Sequence, residues 1–171
     1  IGFTAYDLPS LTTGLMWDTS SIATGAISVA ADPTVYQGWA LTRSFAPGTS
    51  GPTADPDHDG IANAFEWLLN GNPGVSDTVL LPAGAPRSVT TGLFPGADSS
   101  KRYLALTATI RKNISGMALT AQAAASPELL DTPGSSSNIF TRQLSDLGDF
   151  EQREWICTIP LDAAASRFMR L

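Results

Sequence analysis

The sequence is poor in the residues that most chemistry needs. It has one cysteine, one histidine and 10 basic side chains in 171 residues, and charged residues of both signs make up only 15% of it, against roughly 25% in soluble globular domains. A single thiol, Cys157, can close no internal disulfide, and within Trp155-Ile156-Cys157 it is expected to be buried and inert. One histidine gives no imidazole pair, and neither a Gly-x-Ser-x-Gly turn nor a phosphate-cradling glycine loop occurs. A nucleophile-base pair or an open catalytic metal site is therefore not expected, and the chain reads as a non-enzyme. Asp146, Asp149, Glu151 and Glu154 are expected to solvate a turn rather than to line a glycosidase-like cleft. The 10 Lys and Arg face 16 Asp and Glu for a formal charge of −6, and only Lys101-Arg102 and Arg111-Lys112 group closely. Nucleic acid, which is held by clustered cations, is not an expected partner. Apolar runs break at Thr, Gly, Pro or Asp well short of the ~20 residues of a membrane-spanning helix, so no span is expected.

What is abundant is small, hydroxylated and apolar: 17 Ser, 18 Thr, 15 Gly and 12 Pro, with 43% hydrophobic residues. Such a chain can bury a core, and its length suits one compact domain or two small ones. The hydroxyl-rich surface suits β-structure outside the cell, and Ile1 in place of an initiator Met suggests a processed or excerpted piece of a longer product. Patches at 14–18 and 25–30 predict an N-terminal β-ribbon over 1–31, with Phe3, Leu15, Trp17, Ile27 and Val29 needing cover in cis or from another chain. From 32 to 74 the pattern turns helical. Asp32 is a candidate cap and Pro33 a first-turn residue for a helix over about 33–45; a Pro/Gly-rich linker covers 46–53; a second helix over 62–69 ends at Asn70-Gly71-Asn72-Pro73, with Gly71 as its left-handed cap. From 75 to 171 seven short strands are expected, at 79–81, 88–91, 103–111, 117–124, 139–144, 155–159 and 168–171. In Tyr103 to Ile110, Leu104, Leu106, Ala108 and Ile110 fall on one face, a half-buried alternation. The fold class read from this is mainly β: a small β-sandwich with an N-terminal ribbon and a short two-helix insert.

That insert carries the sharpest motif. Asp55-Pro-Asp57-His58-Asp59-Gly60-Ile61-Ala62-Asn63-Ala64-Phe65-Glu66 sets carboxylates at positions 1, 3, 5 and 12 of a twelve-residue loop, with Gly at 6. This is the spacing of an EF-hand calcium loop. Ca²⁺ takes six to eight oxygens, and alternating Asp side chains on a tight turn converge on one point. Asp55, Asp57 and Asp59 supply side-chain oxygens, Ile61 its carbonyl, Asn63 a contact through water, and Glu66 a bidentate carboxylate from the following helix. Without metal the four carboxylates repel, and Ca²⁺ lowers their summed charge from −4 to −2, so binding is also local folding. The competing reading is an Asp-rich turn that merely caps the second helix. His58, at position 4, is expected to face solvent.

The loop followed by Ala-Phe-Glu-Trp-Leu-Leu-Asn-Gly-Asn-Pro resembles the Asp-Pro-Asp-Gly-Asp-Gly … Leu-Glu-Tyr … Gly-Gly-Asn-Pro element near the C-terminus of large secreted surface proteins of verrucomicrobial and planctomycete type bacteria. Tyr6-Asp-Leu-Pro-Ser-Leu and Gly14-Leu-Met-Trp-Asp-Thr-Ser20 are similar to the closing strands after autotransporter-associated β-solenoid repeats, and residues 103–171 resemble the terminal β-module of such proteins. Dockerins and thrombospondin calcium repeats share the loop. The sequence departs from the pattern at His58, where Gly is common, and at Ala62, where a larger aliphatic residue pairs two loops. A lone loop-helix with a structural metal is the expectation.

The resemblance implies a calcium-stabilised extracellular structural module, a subunit of a cell-surface assembly or filament or the terminal anchor of a larger surface protein, that contacts copies of itself or other surface proteins. The alternative is a carbohydrate-binding accessory module of a secreted enzyme, its glycan stacked on Trp17, Trp39, Trp67 or Trp155. Helical spacing makes Trp39 and Trp67 core candidates first, and an apolar strand does the same for Trp155. Asn113-Ile114-Ser115 has the form of a glycosylation acceptor.

Overall fold

The computed structural model describes residues 7–132, 134–161 and 166–171; Phe3 lies outside them. It is a mainly β fold with several antiparallel sheets and two short helices. The N-terminal ribbon pairs β1 (Leu15–Asp18) with β2 (Ser28–Ala31), and Trp17 sits directly opposite Val29. At its base Asp32 N donates to the Gly14 carbonyl at 2.8 Å. The ribbon is thus tied in cis to the start of the helical insert, while Met16, Ile27 and Val29 stay exposed.

The first helix, α1 (Tyr36–Leu41), starts three residues later than residue 33 and stops before 45. Asp32 does not cap it. Its Oδ1 accepts from Thr34 N at 2.9 Å and Thr34 Oγ1 at 2.6 Å, an Asx turn that keeps this stretch out of the helix. Helix α2 (Asn63–Leu69) lies where expected, but Asn70, at φ 67°, takes the left-handed cap assigned to Gly71. Tyr36, Trp39 and Trp67 form a buried aromatic cluster joining the two helices, and Trp67 Nε1 donates to the Pro33 carbonyl at 3.2 Å.

The largest sheet has the order β3-β4-β7-β6, from β3 (Ala83–Ser88), β4 (Arg102–Arg111), β6 (Ile139–Leu147) and β7 (Phe150–Cys157). A second ribbon pairs β5 (Gln122–Ala124) with β8 (Phe168–Arg170). Four expectations shift. Residues 78–80 form a 3-10 turn instead of a strand, the strand expected over 88–91 lies earlier, at Ala83–Ser88, the expected strand over 117–124 shrinks to three residues, and β7 begins at Phe150 because Gly148, at φ 78°, closes a tight β6–β7 hairpin.

Along β4 the alternation holds, yet both faces are covered. Leu106, Ala108 and Ile110 pack with Leu68 and Leu69 of α2, Ala121 and Trp155, whereas Tyr103 and Ala105 pack with Val89, Phe94, Ala97 and Ile156. Against the Leu106 face lie α2 and the β5–β8 ribbon, with Met169 and Leu171 in the same cluster. Cys157 is buried, and burial pushes its thiol up, as an inert role requires. Glu151 and Glu154 do not solvate a turn. Glu154 is fully buried and paired with Arg142 on the adjacent strand β6 and with Arg87 of β3, which reaches it across β4, and Glu151 is buried against Arg153. The paired guanidiniums are what let a carboxylate sit inside a sheet. Asp146 does lie at the hairpin, where it pairs with Lys112 at 2.6 Å.

Gly38 is where α1 and the ribbon meet. A Cβ there would lie 1.9 Å from the Asp32 carbonyl oxygen, a backbone atom with no freedom to swing away. Gly38→Ala is therefore expected to destabilise the fold by roughly 1–3 kcal/mol, the usual cost of overpacking. Gly51→Ala, with nothing within 4 Å of its Cβ, serves as the near-neutral control in the same thermal melts.

Candidate metal centre

The Pro/Gly linker and α2 hold the twelve-residue loop between them. Asn63 Nδ2 donates to the Thr49 and Gly51 carbonyls, both at 2.8 Å, and Tyr36 Oη donates to the Ser50 carbonyl at 2.7 Å. Asn63 N and Ala64 N donate to the Ala54 and Pro52 carbonyls. The linker backbone thus satisfies the first N–H groups of α2, whose N-cap, Ala62, has no side chain to do so. None of the three loop aspartates caps the helix, so the Asp-rich-turn reading loses its physical reason.

The loop aspartates instead fold the loop on itself. Asp55 Oδ2 accepts from Gly60 N at 3.0 Å, Asp57 Oδ1 from Asp59 N at 3.3 Å, and Asp59 Oδ1 from Ile61 N at 2.8 Å. Gly60, at φ 90°, makes the sharp bend, and exposed His58 adopts φ 61°, a left-handed conformation that glycine takes more easily. One carboxylate oxygen from each of Asp55, Asp57 and Asp59 lies within 4.8 Å of the others.

Glu66 adds a fourth carboxylate from α2, outside that group of three. Its side chain is 1% exposed, and neither Oε1 nor Oε2 has a hydrogen-bond donor among the described residues. Asp55 Oδ1 and Asp57 Oδ2 are likewise buried without a donor. Burial, followed by the neighbouring charges of Asp57, Asp77, Asp59 and Asp55, pushes the Glu66 carboxyl up to about 7. Burial also raises Asp57. Buried anions facing one another with open lone pairs fit a hard cation and little else. Asp55, Asp57, Asp59 and Glu66 are the side chains that would hold Ca²⁺, and its charge would offset the repulsion that now lifts Glu66. Ile61, at position 7, is buried. Asn63 is fully buried at position 9 with its amide nitrogen committed to the linker.

The structure also brings in a residue that the motif does not contain. Asp77, eleven positions beyond Glu66, approaches the loop through its backbone, with Asp77 N donating to Asp59 Oδ2 at 2.8 Å. Only the Asn-Gly-Asn-Pro turn, which reverses the chain after α2, hinted that a distant acid could return here. The chain matches no family model, no curated protein and no solved structure.

Glu66 sets a pH dependence with a definite sign. A carboxyl raised from 4.5 to about 7 by folding holds its proton more tightly folded than unfolded. Its contribution to stability is complete below the lower value and is lost as pH rises through the upper one. In chelator, the melting temperature is expected to fall between about pH 5 and about pH 8, and saturating calcium is expected to abolish that fall. Glu66→Gln is expected to flatten the chelator profile; an unchanged slope in melts of this variant would assign the dependence elsewhere.

Proposed function

We propose that the chain is a calcium-stabilised structural module of an extracellular or cell-surface protein, working through contacts with copies of itself or with other surface proteins. The observation that carries this reading is Glu66, a buried carboxylate with no donor on either oxygen among the described residues and with the charges of the three loop aspartates close by. An EF-type loop of this kind surrounds its ion with protein oxygens, a design for holding backbone segments together rather than for activating a substrate. The resemblance to the calcium-loop and β-module regions of large bacterial surface proteins belongs to the same proposal, with the four-stranded sheet against helix and ribbon as a reduced sandwich.

Open strand edges support an assembly role. In the sheet order β3-β4-β7-β6, β3 is an edge and every residue of it is exposed; β6 is the other edge. Unpaired edges are templates for strand addition from another chain. The exposed apolar residues of the N-terminal ribbon, Met16, Ile27 and Val29, offer a further contact. The glycan alternative has less to stand on, because Trp39, Trp67 and Trp155 are buried in the core. No helix among the described residues is long and apolar enough to cross a membrane.

Extracellular calcium modules bind at about 10⁻⁴–10⁻³ M, and a tenfold excess of ion over Kd stabilises the folded form by about 1.4 kcal/mol. That increment can decide a marginal subunit contact. Sedimentation and electron microscopy of the purified chain in millimolar calcium are expected to show polymers that chelator disperses. An unchanged monomer in both conditions overturns the assembly role. Asp57→Ala combined with Glu66→Ala is expected to bring the melting midpoint in calcium down to the chelated level. A calcium response that survives the double substitution removes the metal from the proposal.

A further inference from the structure

Asp77 meets the conditions for a metal ligand from outside the twelve-residue loop. It lies after the turn that ends α2, at the entry to the 3-10 turn Thr78–Leu80 that leads into β3. Two hydrogen bonds fix it: its N donates to Asp59 Oδ2 and its Oδ2 accepts from Asn72 N, both at 2.8 Å. Its other oxygen, Oδ1, is buried and has no donor among the described residues. A Cβ added at Gly71 would lie 2.8 Å from Asp77 Oδ2 and 3.0 Å from Glu66 Cβ, so the two acidic residues close on the same glycine from opposite sides. Gly71 is thus required for the approach of Asp77 to Glu66, which explains a glycine at a position whose backbone is not left-handed.

Unmatched oxygens make the same point. Asp55 Oδ1, Asp57 Oδ2, both oxygens of Glu66 and Asp77 Oδ1 are buried without a donor. Hydrogen bonds inside the cluster account for the remaining oxygens of Asp55, Asp57 and Asp77 and leave these five. With one oxygen from Asp59 and the Ile61 carbonyl the set reaches seven, inside the six to eight that Ca²⁺ takes. Without Asp77 the protein supplies six. The independent sign of a ligand is Glu66, 1% exposed, beside Asp77 at Gly71 and with no hydrogen-bond donor on either oxygen among the described residues.

We propose that Asp77 is a direct ligand of the same calcium ion, so that the metal staples the helical insert to the first residues of the β-module. This rests on the calcium reading of the loop and adds to it a residue and a mechanical consequence. The segment beyond Asp77 carries Leu80, which packs into the cluster of Leu68, Leu69 and Leu106, and then Leu81 and Pro82, which line a cavity of about 310 Å³ with Phe65, Leu68 and Met169. An ion held by both Glu66 and Asp77 fixes the helical side and the strand side of that packing together.

The test is calcium titration calorimetry on the full chain and on Asp77→Asn, which keeps an acceptor for Asn72 N while removing the charge. Asp7→Asn, at an exposed position, controls for the loss of one negative charge. The expected result is one calcium per chain throughout and a Kd raised roughly tenfold or more in Asp77→Asn alone, because charge count tunes such sites. Wild-type affinity in a folded Asp77→Asn overturns the proposal and leaves the loop reading intact; absence of calcium binding by the unsubstituted chain ends both. Hydrogen exchange on the unsubstituted protein gives a second readout that needs no variant. Calcium is expected to slow exchange across 72–81 as well as 55–69. Protection confined to 55–69 overturns the staple.

Discussion

The constraint on which the helical half of the molecule depends is a carboxylate placed where a carboxylate should not be. Glu66 is buried among other acidic groups, and burial with their charges pushes its carboxyl up to about 7. Moving such a group from water into a protein interior costs several kcal/mol unless a counter-charge meets it. The sheet shows how this chain ordinarily solves that problem. Glu154 is as deeply buried as Glu66, but Arg142 of the adjacent strand β6 and Arg87 of β3, reaching across β4, hold it. No arginine or lysine reaches Glu66 among the described residues with an ion pair. The two sites differ in kind: one is neutralised by the chain, and the other is the one we propose is neutralised by a cation from solution.

Around Glu66 the structure is arranged so that this one position communicates with every layer. Its neighbour Trp67 is fully buried against Tyr36 and donates to the Pro33 carbonyl, which joins α2 to the segment leading out of the N-terminal ribbon. The Trp67 carbonyl accepts from Arg111 Nε at 3.1 Å, and the Arg111 guanidinium lies over Phe150, 4.4 Å from the ring centroid. Leu68 and Leu69 then enter the core of the sheet. Three consecutive residues of α2 therefore face three different partners. A helix of seven residues has little stability of its own, and here tertiary contacts on all sides, together with the linker backbone that caps it, supply what its length does not.

The twelve-residue loop was legible in the sequence because its geometry is local. Alternate aspartates and a glycine at fixed spacing encode a turn that needs no distant residue to define it, and Asp55, Asp57 and Asp59 converge as the spacing implies. Helix α2 and the alternation in β4 were legible for the same reason, each being a pattern within one element. What failed to show in the sequence depends on tertiary neighbours. Glu151 and Glu154 looked like turn residues because acidic side chains are seldom buried, and only strand pairing brings Arg87 and Arg142 beside Glu154. Gly71 looked like a cap because it follows a helix, whereas Asn70 takes that conformation and Gly71 is a point of close approach. Asp77 carries no motif signal at all, since its place is set by a chain reversal and by a hydrogen bond from its own backbone.

These differences bear on what kind of metal site the loop would make on the proposed calcium reading. A calcium sensor works by moving one helix against another, which needs a pair of helices flanking the loop and freedom to open. Here the chain before the loop is no helix but a linker, pinned through Thr49, Ser50 and Gly51 to Asn63 and Tyr36. The helix after the loop is locked on its other faces by Trp67 and Leu68. With both flanks fixed, a bound cation has no rearrangement to drive. Its free energy goes into holding charges together that otherwise oppose the fold, which is the physical meaning of a structural site. On the proposed calcium reading, a module of this design would gain rigidity from an environment rich in the ion and lose it where the ion is scarce. That property would suit the proposed component assembled outside the cell from subunits whose edges and exposed apolar ribbon are open to neighbours.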